Sequence, residues 1–296
     1  RLLVDTFTPR AIEGLRPQIT KIADELLASA ASDENVDLIS EFAFPMPATV
    51  IAHILGVPPK DLGKFRAWSN DLATVIGNSR KVENRFDIGT RALLNLTEYF
   101  RETVSIRSGS GFAGRLIDEL IESHNADGIM TKDELIGTCI LILFAGHETT
   151  MHLIGNGVAL LLKNPAEHEK IQANPALIPT MVEEVLRYES SVFAIVRVAK
   201  EPIELGGKKI AKGDRVFLML SSANHDPKHF SSPEQFDVTR SPNRHLSFGY
   251  GIHFCIGAQL ARVEAEIAFS RLLPLLKVSR LVSDKLDWDD NFVLRG

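Results

Sequence analysis

Apolar residues recur about every 3.6 positions through the first half of the chain, and that period predicts one helix after another. Between Arg10 and Ala31 they fall at Ile12, Leu15, Ile19, Ile22, Leu26 and Leu27. Pro45, Pro47 and the Pro58-Pro59 pair punctuate the next stretch; a helical pattern resumes from Asp61 to Gly77, and Phe86 to Ile106 repeats it. Ser108-Gly109-Ser110-Gly111 reads as a short flexible link inside a domain. Thr131-Lys132-Asp133-Glu134 is a capping-box signature. It opens a helix that runs to Asn164-Pro165, about 48 Å long at roughly 1.5 Å per residue. Another helix is predicted from Pro179 to Tyr188. Short β-type runs follow at Ile203–Leu205 and Arg215–Leu220, with Gly206-Gly207 between them as a hairpin turn. Ser222 to Arg244, rich in Asn, Asp, Pro and Ser, reads as a long ordered loop, and Ala258 to Leu276 as the last helix. The fold class is mainly α with a minor β part.

Composition narrows the function. The chain has 296 residues, 45% hydrophobic and 24% charged, which suits a soluble globular protein with a sizeable core. A net charge of −5 without any dense basic stripe argues against nucleic acid as a partner. Two cysteines, Cys139 and Cys255, cannot build a disulfide framework, so a reducing, cytoplasmic location is expected. The longest apolar run, Leu135 to Gly146, is too short to span a bilayer and predicts a buried helix with no membrane partner. There is no initiator Met, and Arg1-Leu2-Leu3-Val4 starts as though in mid-helix, the expectation being of an upstream part that is absent.

The two cysteines differ in their surroundings. Cys139 sits on the apolar face of the long predicted helix and reads as a small buried hydrophobe. Cys255 lies in a loop of glycines and aromatics directly before a helix. Loop amides and a helix N-terminus supply the donors and positive potential that keep a thiolate deprotonated. One thiolate is too few for structural zinc but is enough as the axial ligand of haem iron.

The segment Phe248-Gly249-Tyr250-Gly251-Ile252-His253-Phe254-Cys255-Ile256-Gly257 resembles the cysteine-ligand loop of the cytochrome P450 family. All six constrained positions of Phe-Gly-x-Gly-x-(His/Arg)-x-Cys-x-Gly match. Two further motifs lie upstream in the family's order. Glu184-Val185-Leu186-Arg187 fits its Glu-x-x-Arg pair, which taken alone would be an ordinary solvated i,i+3 pair. In the family that pair is buried and locks the loop before the cysteine, often with a third Arg or His. The matching position here is Gln235, whose amide can hydrogen-bond but cannot balance charge.

Ala145-Gly146-His147-Glu148-Thr149-Thr150 is poor helix-forming sequence inside a helix. Taken alone, Thr149 reads as a hydroxyl bonding back one turn. His147 and His152 are spaced i,i+5, which fails the zinc-protease pattern of i,i+4. The resemblance makes this segment the oxygen-binding groove over the haem, with Ala145 and Gly146 against the cofactor and Glu148 and Thr149 as the acid–alcohol pair that delivers protons. It also implies that Arg197 and His253 hold the haem propionates and that Phe248, Gly249 and Gly257 shape the cofactor loop. Leu141, Phe144, Phe193, Ala194, Ile195, Val293 and Leu294 would line the substrate pocket. Phe7-Thr8-Pro9-Arg10 is typical of soluble bacterial members, and the resemblance covers essentially the whole chain.

The expectation is a P450 fold, incomplete at its N-terminus, forming one haem-thiolate monooxygenase domain over residues 1–296. It would bind haem b through the Cys255 thiolate, use O2, and act on a hydrophobic small molecule such as a polyketide, terpenoid, steroid or fatty acid. Electrons would come from a separate ferredoxin- or flavodoxin-type donor with its reductase. A peroxide-using haem-thiolate peroxygenase, or a haem-binding protein without turnover, are the other readings.

Overall fold

The computed structural model describes residues 3, 6–30, 35–76, 82–107, 116–127, 130–283, 285–288 and 291–296. The Ser108–Gly111 link and the start at Arg1, Leu2 and Val4 lie outside these. Helices dominate, in the order α1 (Pro9–Ala30), α2 (Pro45–Leu55), α3 (Leu62–Ile76), α4 (Arg85–Arg107), α5 (Leu116–Asp127), α6 (Lys132–Lys163), α7 (Pro165–Ala173) and α8 (Ile178–Tyr188). Strands β1 (Ala194–Val198), β2 (Ile203–Leu205), β3 (Lys208–Ile210) and β4 (Arg215–Met219) follow, then the short α9 (Leu220–Asn224) and finally α10 (Ala258–Leu276). Helix α7 escaped the sequence reading, because its apolar residues are too few to show a period; Pro165 at its first turn is the signal that starts it.

The capping box forms as expected: the Thr131 hydroxyl accepts from the Glu134 amide at 3.2 Å and the Glu134 carboxylate from the Thr131 amide at 2.8 Å. Helix α6 then runs unbroken for 32 residues and packs against α2, α4, α8 and α10. Cys139 is fully buried on it, and burial pushes its thiol up to about 12, so it behaves as the small hydrophobe expected. Glycine lets neighbours come close: a Cβ on Gly157 would stand 2.3 Å from the ring of Phe269 in α10.

The β part corrects the sequence reading in its pairing. Gly206 and Gly207, with φ of 57° and 73°, do form a tight hairpin turn, but it joins β2 to β3. Strand β4 pairs instead with β1, antiparallel, placing Ile195 opposite Leu218 and Arg197 opposite Val216. Strand β1 was read only as pocket lining, since a five-residue run carries too little period to separate from a loop. Leu220 leaves the strand and opens α9.

Because Phe269 is fully buried and a Cβ on Gly157 would overlap its ring, Gly157→Val should lower stability by about 1–3 kcal/mol. A denaturant-unfolding midpoint within error of wild type would show that α6 and α10 can separate at no cost.

Candidate active site

Helix α8 is strongly amphipathic, with Met181, Val182 and Val185 in the core, yet it also buries Glu184 and Arg187 completely. Two charges out of water need every polar atom satisfied, and here they are. Arg187 makes a two-pronged bond to Glu184, both arms 2.8 Å, and donates to the carbonyls of Asn224, Pro233 and Gln235 at 2.9–3.0 Å. The third cation is Arg240, whose Nε lies 3.0–3.1 Å from both Glu184 oxygens. This corrects the assignment to Gln235, which contributes its backbone carbonyl to both arginines. No sequence signal marked Arg240, which reads as an ordinary charged residue of the Ser222–Arg244 loop.

The lock reaches the cysteine loop through Asn224 and Ser247. The Asn224 carboxamide accepts from the Leu246 amide and donates to the Ser247 hydroxyl, which donates in turn to the Leu186 carbonyl in α8. Beyond it Gly249 and Gly251 take positive φ, 74° and 65°, and a Cβ on Gly249 would stand 3.2 Å from the His253 carbonyl. The Cys255 amide donates to the Phe248 carbonyl at 2.8 Å, closing the loop, and Gly257 caps α10. Cys255 stands at the surface. Protein crowding raises the Cys255 thiol above its usual value, while the Gly257 amide and Arg262 lower it, the two influences the loop was expected to exert.

On α6 the acid and the alcohol part company. The Thr149 hydroxyl donates to the Ala145 carbonyl at 3.1 Å, the back-bonded arrangement. Glu148 is buried, with His147 Nε2 3.6 Å and His152 Nε2 3.9 Å from its oxygens. Burial holds both imidazoles near 4, hence neutral at pH 7, and the Leu143 carbonyl, 2.6 Å away, fixes the hydrogen of His147 on Nδ1. Gly146 has a packing reason besides any groove: a Cβ there would meet Ile51 of α2 at 2.7 Å. Leu141 and Ala145 are exposed along the same helix, and Phe144 is half-buried.

Two of the segments named as pocket lining are in backbone contact. Phe193 donates to the Val293 carbonyl at 2.7 Å, and Val192 bridges to Leu294. Ala194 is buried and Ile195 half-buried. Arg197 and His253 are both exposed; the Arg197 guanidinium donates to the Val196 carbonyl at 2.9 Å, and among the described residues no contact joins it to His253.

The family model described as Cytochrome P450 matches residues 15–295. The chain belongs to the cytochrome P450 family. It is 41% identical to cytochrome P450 CYP107DY1 of Priestia megaterium over 92% of this chain, and spans 65% of that relative's length. Among solved P450 structures it is similar to P450BioI in complex with acyl carrier protein ligated to hexadec-9Z-enoic acid (TM-score 0.92, 38% identity, 99% of this chain and 75% of that one). It is similar also to myxobacterial CYP267B1 in complex with myristic acid (TM-score 0.94, 39% identity, 100% and 73%). The P450 fold is thus mostly helical with a small β part, as expected. No helix among the described residues is long and apolar enough to cross a membrane.

P450 proteins carry an iron porphyrin on a cysteine thiolate, and the donor chemistry here fits it. Among the described residues no three His, Cys, Asp or Glu side chains gather as a metal cage. A lone exposed thiol therefore suits a metal whose other ligands come with its cofactor. The sequence reading missed Glu183, Arg262 and His245, which pack beside the same loop; only their spacing from recognised motifs could have marked them.

Arg187→Ala should cost about 3–5 kcal/mol and leave the protein with little bound haem. Gln235→Ala, which keeps the backbone carbonyl, should leave stability and haem content within error of wild type. A large loss in the Gln235 variant would restore its side chain to the lock.

Proposed function

We propose that this P450 is a haem-thiolate monooxygenase, inserting one atom of O2 into a hydrophobic small molecule. Electrons come from a separate ferredoxin- or flavodoxin-type donor with its reductase. The observation that carries the reading is a buried carboxyl, Glu148, next in sequence to the Thr149 hydroxyl on the helix that also presents the exposed Leu141 and Ala145. The bound haem supplies the oxygen-activating chemistry.

The chain's own residues do the rest. Cys255 would hold the iron, and Arg197 and His253 would be the hydrogen-bonding partners of the propionates. Phe248, Gly249 and Gly257 shape the loop against the cofactor. Ala194 and Ile195 on β1, with Phe193, Val293 and Leu294 beside them, form an apolar wall, and Leu141 and Phe144 face the substrate from α6. While Thr149 donates to Ala145 its oxygen keeps lone pairs that can accept a hydrogen bond from a donor in the pocket. Neutral His147 turns its unprotonated nitrogen towards Glu148, so a proton on that carboxyl has an acceptor beside it. The fatty acids named for two similar structures support a hydrophobic substrate.

Reduced protein with carbon monoxide should show the red-shifted Soret band of a thiolate ligand, absent in Cys255→Ala; a histidine-type band in wild type would overturn the assignment.

Thr149→Ala should keep haem and substrate binding and continue to consume NADH with a surrogate ferredoxin system, while product per NADH falls and hydrogen peroxide rises. Glu148→Gln should slow turnover by about 10²–10⁴, the usual contribution of a general acid. Unchanged coupling in Thr149→Ala would leave that residue only its bond to Ala145.

A further inference from the structure

A second charged group stands against the cysteine loop, apart from the buried lock. Glu183 precedes Glu184 in α8 but turns to α10, where Arg262 grips it with Nε 2.7 Å from one oxygen and Nη2 2.9 Å from the other. His245 closes the group, its Nε2 3.2 Å from the Glu183 carboxylate. The Ser247 amide donates to His245 Nδ1, so Nε2 carries the hydrogen facing Glu183. Burial pushes the Glu183 carboxyl up, but His245 and Arg262 outweigh it and hold it at about 2, a permanent anion. The guanidinium of Arg262 sits 4.6 Å from the centroid of the Phe248 ring, in cation–π contact. Phe248 is the residue whose carbonyl receives the Cys255 amide. Carboxylate, guanidinium and ring thus form a stack that ends at the backbone of Cys255.

We propose that Glu183 and Arg262 form a charge-compensated positioning pair that sets the electrostatic potential at the Cys255 sulfur, and with it how readily the iron held there accepts an electron. The inference rests on Cys255 as the iron ligand. Both side chains are 28% exposed, so their fields are only partly screened by water. Arg262 already acts on the Cys255 thiol, lowering it against the effect of burial. A positive charge near a centre that gains an electron favours its reduced form, and a negative charge opposes it. At the sulfur the two charges act with opposite sign, so removing either leaves the other unopposed.

The test is a mediated spectroelectrochemical titration of the haem-loaded proteins, taking the iron from its ferric to its ferrous form with one electron from the electrode. Glu183→Gln, which leaves Arg262 uncompensated, should raise the midpoint potential. Arg262→Gln, which leaves Glu183 uncompensated, should lower it. The double variant should return towards wild type. Opposite signs separate charge from packing, because lost packing alone would move both single variants the same way. The carbon monoxide band of each protein is the control. A wild type without the thiolate band overturns the ligand assignment; with that band present, shifts of the same sign, or none, overturn the charge pair. Arg262→Lys guards against a Gln variant that fails to hold haem: it keeps the charge and should stay near the wild-type potential, and a drop there counts against the proposal.

Discussion

The carboxylate of Glu184, buried among Arg187, Arg240, Asn243 and the Asp237 amide, is the constraint on which the proximal half of the molecule depends. A charged group in the core is tolerated only when all its partners are in place, so the loop from Asn224 to Asn243 has little choice of path. That path delivers Asn224 to Leu246 and Ser247, and these deliver the cysteine loop to the start of α10. Position is thus inherited from charge satisfaction in α8 and passed along hydrogen bonds to a sulfur that makes no contact with the ion pair.

On the other side of the site α6 joins two kinds of surface in one continuous rod. Its capping box fixes where it starts, and close approaches at Gly146 and Gly157 fix how deeply it sits between α2 and α10. The same helix leaves Leu141 and Ala145 exposed and buries Glu148 between two neutral imidazoles. Acid and alcohol are adjacent in sequence but serve different surroundings, the alcohol bound to its own helix and the acid enclosed by the core.

The long helices were legible because each repeats its apolar period many times and α6 announces its start. Not all the short elements were: Ile203–Leu205 was read as a strand, but β1, β3 and α7 hold too few residues for a period to emerge, and the choice of β1 as partner for β4 is tertiary information. Motifs with glycine or cysteine at fixed spacing located the loop, since few other residues can take its backbone angles. Arg240, Glu183 and Arg262 stayed hidden because a charged residue in a loop or on a helix looks the same in sequence whether it faces water or a buried partner. Gln235 shows the opposite failing, a position matched by spacing whose side chain has no part in the lock.

One detail of the lock bears on how this loop can change over time. Arg187 and Arg240 hold it through the main-chain carbonyls of Asn224, Ser231, Ser232, Pro233 and Gln235, atoms that every amino acid possesses. The course of the chain is therefore specified while most side chains along it are left free to drift. Mutational tolerance and geometric rigidity coexist in the same stretch, and a sequence can diverge there without displacing the sulfur that follows.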